Sequence, residues 1–213
     1  MSNNELSKTA EEIMKIIGKT VNQNLYQIEY LFSSNNHWEK WFQVELASRL
    51  NQSKFTGIKL EKPYYYDLRK SQKQCYGKTR KKGQIDIVAK VKYGKLNQYI
   101  GFELKQSNNI GGLKEVIKDI NKIRTIKKSE WNFRALYFVL VYKDLSCKRA
   151  LYSKLREKLH SNGFITDLNI QFKNTTGLYA FVLYWEEDKS NRAYESFNNW
   201  YRRVMEIVKE INS

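Results

Sequence analysis

The eight residues ALYFVLVY, 135 to 142, hold no charge and no chain breaker, and they limit the architecture more than any other stretch. A run this short cannot cross a bilayer as a helix, which takes roughly twenty apolar residues. As a strand it exposes apolar side chains on both faces, and such strands sit in sheets covered on both sides. The neighbouring segments can supply that cover. Ile13, Ile16 and Ile17 fall on one stripe of a helix over 5–18, and a second short helix is expected at 24–32. In HWEKWFQVELASRL, 37–50, Trp38, Trp41, Phe42, Leu46 and Leu50 recur at three- and four-residue spacing. LKEVIKDINKIRTIKK repeats the pattern with Leu113, Val116, Ile117, Ile120 and Ile123, after a break at NNIGG. Helices are also expected at 147–161 (Leu151, Leu155, Leu159) and in the C-terminal segment, with Phe197, Trp200, Tyr201, Val204, Val208 and Ile211 inward.

Four further segments read as strands or near-strands: IKLEKPYYY at 58–66, QIDIVAKV, YIGFELKQ, and LYAFVLYW at 178–185. The first tolerates Pro63 only near an edge or a bend. The order helix, three strands, helix, strand, helix, strand, helix predicts an α/β chain with a central mixed β-sheet and helices on both faces. We expect one domain over 1–213: N-terminal helices in 1–35, an αβββαβ core in 36–145, and a helix-strand-helix extension in 146–213. A single proline and 10 glycines leave little material for a long linker.

Charge points to a partner. The chain has 38 Lys and Arg against 22 Asp and Glu, a net +16, which suits a polyanion. Nucleic acid is the first candidate and an anionic membrane surface the second. From Arg69 to Lys82 the chain holds seven basic residues and no acid. Arg69, Lys70, Lys73, Lys78, Arg80, Lys81 and Lys82 would track phosphates there, and Tyr76 would stack on a base or sugar. A solvated loop is the plainer account of the same run. Cys75 and Cys147 fit no zinc spacing and read as free thiols of a reducing cytosol, with a disulfide as the alternative. The N-terminus lacks the apolar core of a secretion signal, so a soluble, cytoplasmic protein with no membrane partner is expected. His37 and His160 are isolated, and no nucleophile triad or phosphate-cradling glycine loop is present.

The chemistry concentrates in residues 83 to 107. Two apolar strands there each carry an acid, Asp86 and Glu103, and Lys105 follows two residues after Glu103. Side chains two apart on a strand share a face, so Glu103 and Lys105 point together. If the strands pair as a hairpin, Asp86 comes opposite or diagonal to Glu103. Two carboxylates that close repel unless a cation lies between them, and a hard divalent ion such as Mg²⁺ fits. Beside such an ion Lys105 can orient a water, stabilise charge on a phosphate oxygen, or help remove a proton.

Asp86, a gap of sixteen residues, and then Glu103-Leu104-Lys105 resembles the PD-(D/E)xK nuclease superfamily, with its restriction-endonuclease-like fold. The element order of 37–142 is similar to that family's core, and WFQVELASRL, with Glu45, looks like its glutamate-bearing helix. The resemblance covers about half the chain, and Ile85 stands where the family's name has proline. It implies that Asp86 and Glu103 hold Mg²⁺, with Mn²⁺ able to substitute, and that the Leu104 backbone carbonyl is a third ligand. Glu45 would complete the shell directly or through water, and Lys105 would be the catalytic lysine.

The expected function is therefore a metal-dependent endonuclease hydrolysing phosphodiester bonds in DNA. The alternative is a nucleic-acid-binding protein on the same fold that does not cut, and a basic scaffold for an acidic protein or membrane comes third. Plainer accounts exist for each residue. Glu103 and Lys105 could form a cross-strand salt bridge on a solvated face, Asp86 could bond a neighbouring backbone amide, and Glu45 could pair with Arg49. The C-terminal extension is a candidate homodimer seam.

Overall fold

The structure, a computed structural model, describes residues 8–34, 38–66, 82–92, 99–107, 112–143, 157–159, 161, 165–167, 178–187 and 193–212. Three helices come first: α1 (Lys8–Gln23), α2 (Leu25–Ser33) and α3 (Trp38–Asn51). Strands β1 (Phe55–Tyr65), β2 (Lys82–Val91) and β3 (Tyr99–Ser107) follow, then α4 (Gly112–Arg124) and a 3₁₀ turn at Lys128–Glu130. The chain continues with β4 (Phe133–Lys143), β5 (Ile165–Asp167), β6 (Leu178–Glu186) and α5 (Ala193–Asn212).

These strands form one mixed sheet in the order β1-β2-β3-β4-β6-β5. β1, β2 and β3 are antiparallel, β3 runs parallel to β4 across the α4 connection, and β6 is antiparallel to both β4 and β5. ALYFVLVY lies in β4, near the middle of the sheet, with its side chains buried on both faces. Val139 and Tyr137 pack with Ile13 and Ile17 of α1, Phe32 of α2, and Phe42 and Leu46 of α3. Phe138 and Leu140 pack on the opposite face with Val116 and Ile120 of α4 and Phe197 and Trp200 of α5. The α/β expectation with helices on both faces is what the structure has.

Pro63 sits in β1, an edge strand, where its missing N–H costs no ladder bond. The expected strand at 58–66 starts three residues earlier, at Phe55. β5 was not expected; with three residues it has too little alternation to register as a strand. Of the helix expected at 147–161, the described residues 157–159 and 161 are helical. The rest of that segment lies outside the described residues, as do Cys75, Cys147, both histidines and the side chains of Leu113, Val208 and Ile211. No helix among the described residues is long and apolar enough to cross a membrane.

Candidate active site

β2 and β3 pair over only three positions, Ile87 with Phe102, Val88 with Gly101, and Ala89 with Ile100. One residue further, the register would set Asp86 opposite Glu103, and there the ladder stops. β2 continues along β1 to Lys82, while β3 continues along β4 to Ser107, so the sheet forks. The β1–β2 ladder skips the same level, where Glu61 faces Asp86 and takes a positive φ of 50°. That left-handed residue marks where the edge pair bends away.

Asp86 sits in the fork. Its Oδ2 accepts the Leu104 N–H at 2.7 Å, standing in for the ladder bond that β2 no longer makes. Its Oδ1 accepts Gln43 Nε2 of α3 at 2.9 Å. The α3 terminus is held to the end of β3 by a reciprocal pair of bonds. The Gln106 N–H donates to Glu39 Oε1 at 2.9 Å, and the Trp38 N–H donates to Gln106 Oε1 at 3.1 Å.

Glu103 and Lys105 lie on the face covered by α4. Glu103 is 8% exposed. Lys105 Nζ stands 3.1 Å from Oδ2 of Asp119, an α4 residue that is 2% exposed. Lys122, one turn further along α4, donates to the other Asp119 oxygen. Beside Glu103 a cavity of about 10 Å³ opens between Tyr64, Gln84, Ile85, Lys122 and Ile126. That is space on the order of one water.

The charges in the fork are held at a cost. Burial pushes the Glu103 carboxyl well above the usual carboxylate range, and the Asp86 and Asp119 charges push it further than Lys122 and Lys105 pull it back. Burial raises Asp86 as well; the Leu104 N–H and Lys105 oppose this, while Glu39 and Asp119 add to it. For Lys105 burial acts to lower the pKa, but Asp119, Glu39 and Glu103 outweigh it and hold the amine above its ordinary value. Lys105 is therefore a fixed cation at neutral pH.

The structure thus brings Asp86, Glu103 and Lys105 together. It leaves Glu45 apart. Gln43 faces Asp86, and Glu45 lies two residues on, about 200° around the helix. Glu45 is half-buried and makes no hydrogen bond or ion pair among the described residues. Arg49, its expected partner, donates to Gln23 of α1 at 2.5 Å. The helix carboxylate whose charge reaches the fork is Glu39, four residues before Gln43 on the same face. Leu104 meets Asp86 through its N–H.

The plainer accounts also meet the geometry. Asp86 does bond a neighbouring backbone amide, with one of its two oxygens. Glu103 is not on a solvated face, and Lys105 reaches across to a helix. In the basic run, Arg69, Lys70, Lys73, Tyr76, Lys78, Arg80 and Lys81 lie outside the described residues. Lys82 begins β2, exposed, with Nζ 4.3 Å from the Tyr65 ring centre.

Glu39, Gln43, Asp119 and Lys122 escaped the sequence reading. Asp119 had a signal, because it falls three residues after Val116 and four before Ile123, inside the apolar stripe of α4. An acid in that stripe is buried and needs a cation.

Among the described residues no three His, Cys, Asp or Glu converge as a ready metal cage. Mg²⁺ is ordinarily held by one or two carboxylates, with water and substrate phosphate supplying the rest. Asp86 and Glu103 fit that donor set. They are hard oxygen ligands, the Asp86 charge raises the proton affinity of Glu103, and the two engaged oxygens of Asp86 each keep a second lone pair. Compared by sequence with family models and with curated proteins, the chain matches none.

Proposed function

We propose that this chain is a metal-dependent nuclease that hydrolyses phosphodiester bonds in DNA, on a core like that of the restriction endonucleases. The gathering of Asp86, Glu103 and Lys105 where β2 leaves β3 carries this reading. Pairs of buried carboxylates with raised proton affinity are uncommon outside functional sites, because burying them destabilises the fold. The net charge of +16 suits a polyanionic substrate.

Asp86 and Glu103 would hold Mg²⁺ or Mn²⁺, which when bound supplies positive charge against the phosphate and acidifies water. Gln43 and the Leu104 N–H fix the Asp86 carboxylate in one orientation. Lys105, kept protonated by Asp119, Glu39 and Glu103, stabilises the negative charge that develops on a phosphate oxygen. Proton removal does not suit it, since a general base must be neutral near the working pH. Glu39 contributes a further carboxylate at the open end of the fork.

The experiment is a cleavage panel with Mg²⁺ or Mn²⁺ on duplex, single-stranded, flapped and four-way DNA and on RNA, beside Glu103→Ala and Lys105→Ala. Cleavage by the wild type, lost in both variants, is expected. Full activity in both variants overturns the assignment. One observation favours a second reading, a nucleic-acid-binding protein that does not cut: both Asp86 oxygens already have protein donors. Tight, salt-sensitive binding with no cleavage under any metal would select it.

A further inference from the structure

Tyr99 begins β3 and shares its face with Gly101, Glu103 and Lys105. Against its ring the structure places two lysines, Lys62 of β1 and Lys90 of β2. Lys62 Nζ lies 3.8 Å from the Tyr99 ring centre and 4.8 Å from that of Tyr64, and Lys90 Nζ lies 4.7 Å from Tyr99. Lys59, paired with Val88 in the β1–β2 ladder, joins them as an exposed side chain. Lys59 is exposed, and Lys62, Lys90 and Tyr99 are half-buried.

The lysine charges repel one another, and the Tyr99 and Tyr64 rings offset part of that repulsion. Burial lowers the Lys62 pKa; Tyr99 draws it up again, and Lys59 and Lys90 push it down, for a net fall. Burial raises the Tyr99 phenol, but Lys62, Lys90 and Lys59 together pull it below its usual value. The Tyr99 ring thus stands against the Lys62 and Lys90 ammonium groups, and the charge of Lys59 also acts on its phenol.

We propose that Lys59, Lys62 and Lys90, organised by Tyr99, form a binding platform for the phosphodiester backbone of a nucleic acid. The platform rests on the nucleic-acid reading above and extends it, since none of these residues belongs to the basic run at 69–82.

The test is fluorescence anisotropy of a labelled DNA duplex and a labelled single strand, in EDTA and over a salt series. Lys59→Ala, Lys62→Ala, Lys90→Ala and the triple variant are compared with wild type and with Lys19→Ala, an exposed α1 lysine. Lys59 has little packing to lose, and melting curves check the folding of the others. Each platform lysine removed should lower the slope of log affinity against log salt by about 0.9 for duplex, and weaken binding equally for every sequence. Lys19→Ala should bind like wild type. Unchanged slopes in the platform variants, an equal loss in Lys19→Ala, or no DNA binding by the wild type overturns the proposal. Parallel cleavage assays with Mg²⁺ separate the two readings. A wild type that binds through these lysines but never cuts sinks the nuclease and keeps the platform, whereas a wild type that cuts while the variants bind undiminished does the reverse.

Discussion

Asp119→Asn keeps the shape of a buried side chain and removes the charge that holds Lys105 in place. In the native protein the two groups stand 3.1 Å apart, with Asp119 2% exposed and Lys105 23% exposed. At that distance the gross attraction is about 5 kcal/mol for an effective dielectric of about 20. Desolvation of both groups offsets part of it, but breaking such a pair from one side leaves a mostly buried cation uncompensated, at a typical cost of about 3–5 kcal/mol. Lys122 also bonds Asp119, yet it is 39% exposed, and water screens its loss to a minor addition. A net destabilisation of about 3 kcal/mol lowers Tm by roughly 6–12 °C in a chain of this length. The sign of the pH dependence follows from Lys105. Its folded pKa is above the usual 10.5, so its contribution is complete below that value and is lost as pH rises through the folded pKa. Without Asp119, burial draws the folded pKa down, and the alkaline loss of stability begins at lower pH. Thermal melts of both proteins from neutral to alkaline pH measure each effect. A Tm within about 1 °C of wild type, with the same alkaline limb, would show that Lys105 does not depend on Asp119 and would refute the reasoning.

Glu103→Gln should abolish cleavage and yet stabilise the metal-free protein as pH rises above the ordinary carboxylate range. The raised Glu103 pKa means that wild-type stability falls as pH climbs from about the usual 4.5 through the folded value, and glutamine has no proton to lose. Melts in EDTA against pH check this, and a variant less stable than wild type at alkaline pH contradicts it. Glu39→Gln should reduce cleavage about 10–100-fold, as loss of a supporting carboxylate does, while Glu45→Gln leaves the rate unchanged. Steady-state rates with Mg²⁺ decide, and the opposite ranking would return the helix role to Glu45. Gly83→Ala puts a Cβ into the space of the Tyr66 hydroxyl oxygen and the ring carbon that bears it, which displaces that ring from the cavity wall. Overpacking of this kind costs about 1–3 kcal/mol, recovered in a Tyr66→Ala background; denaturant melts of the single and double variants test the pairing.

The layers of the fold were legible because burial writes them directly. ALYFVLVY can only be a doubly covered strand, and the three- and four-residue stripes of α1, α3, α4 and α5 can only be its cover. The pairing of Asp86 with the Glu103 strand was also readable, since a period of two fixes which side chains share a face. Long-range placement was not readable. Glu39 and Glu45 both lie on α3 near the apolar stripe, and the difference between them is set by the turn of helix that Gln106 ties to β3. Likewise the fork depends on where two antiparallel strands stop pairing, and the bend at Glu61 that accompanies it has no glycine to announce it. Asp119 reaches Lys105 only because the β3–α4–β4 crossover lays α4 over that face.

The face of β3 carries two electrostatic imbalances of opposite sign. Lys62 and Lys90 stand against the Tyr99 ring at one end, and Glu103 and Asp86 lie at the other, where Lys105 and Lys122 already meet the charge of Asp119. Each is relieved by a ligand of opposite charge, and a phosphodiester strand together with a divalent cation supplies both. The two ligands should therefore bind cooperatively: the cation neutralises carboxylates that would repel the backbone, and the backbone offers the cation oxygen ligands that the protein lacks. Ca²⁺, which occupies oxygen sites and commonly supports little cleavage, lets the coupling be measured at equilibrium. DNA affinity should rise about 5–150-fold with Ca²⁺, the usual range of coupling between sites, and Ca²⁺ affinity must rise by the same factor with DNA. Glu103→Gln should reduce that factor towards one while keeping the salt slope set by the lysines. A Ca²⁺ effect equally large in Glu103→Gln would mean that the cation acts elsewhere on the complex, and that the fork is not where the two ligands meet.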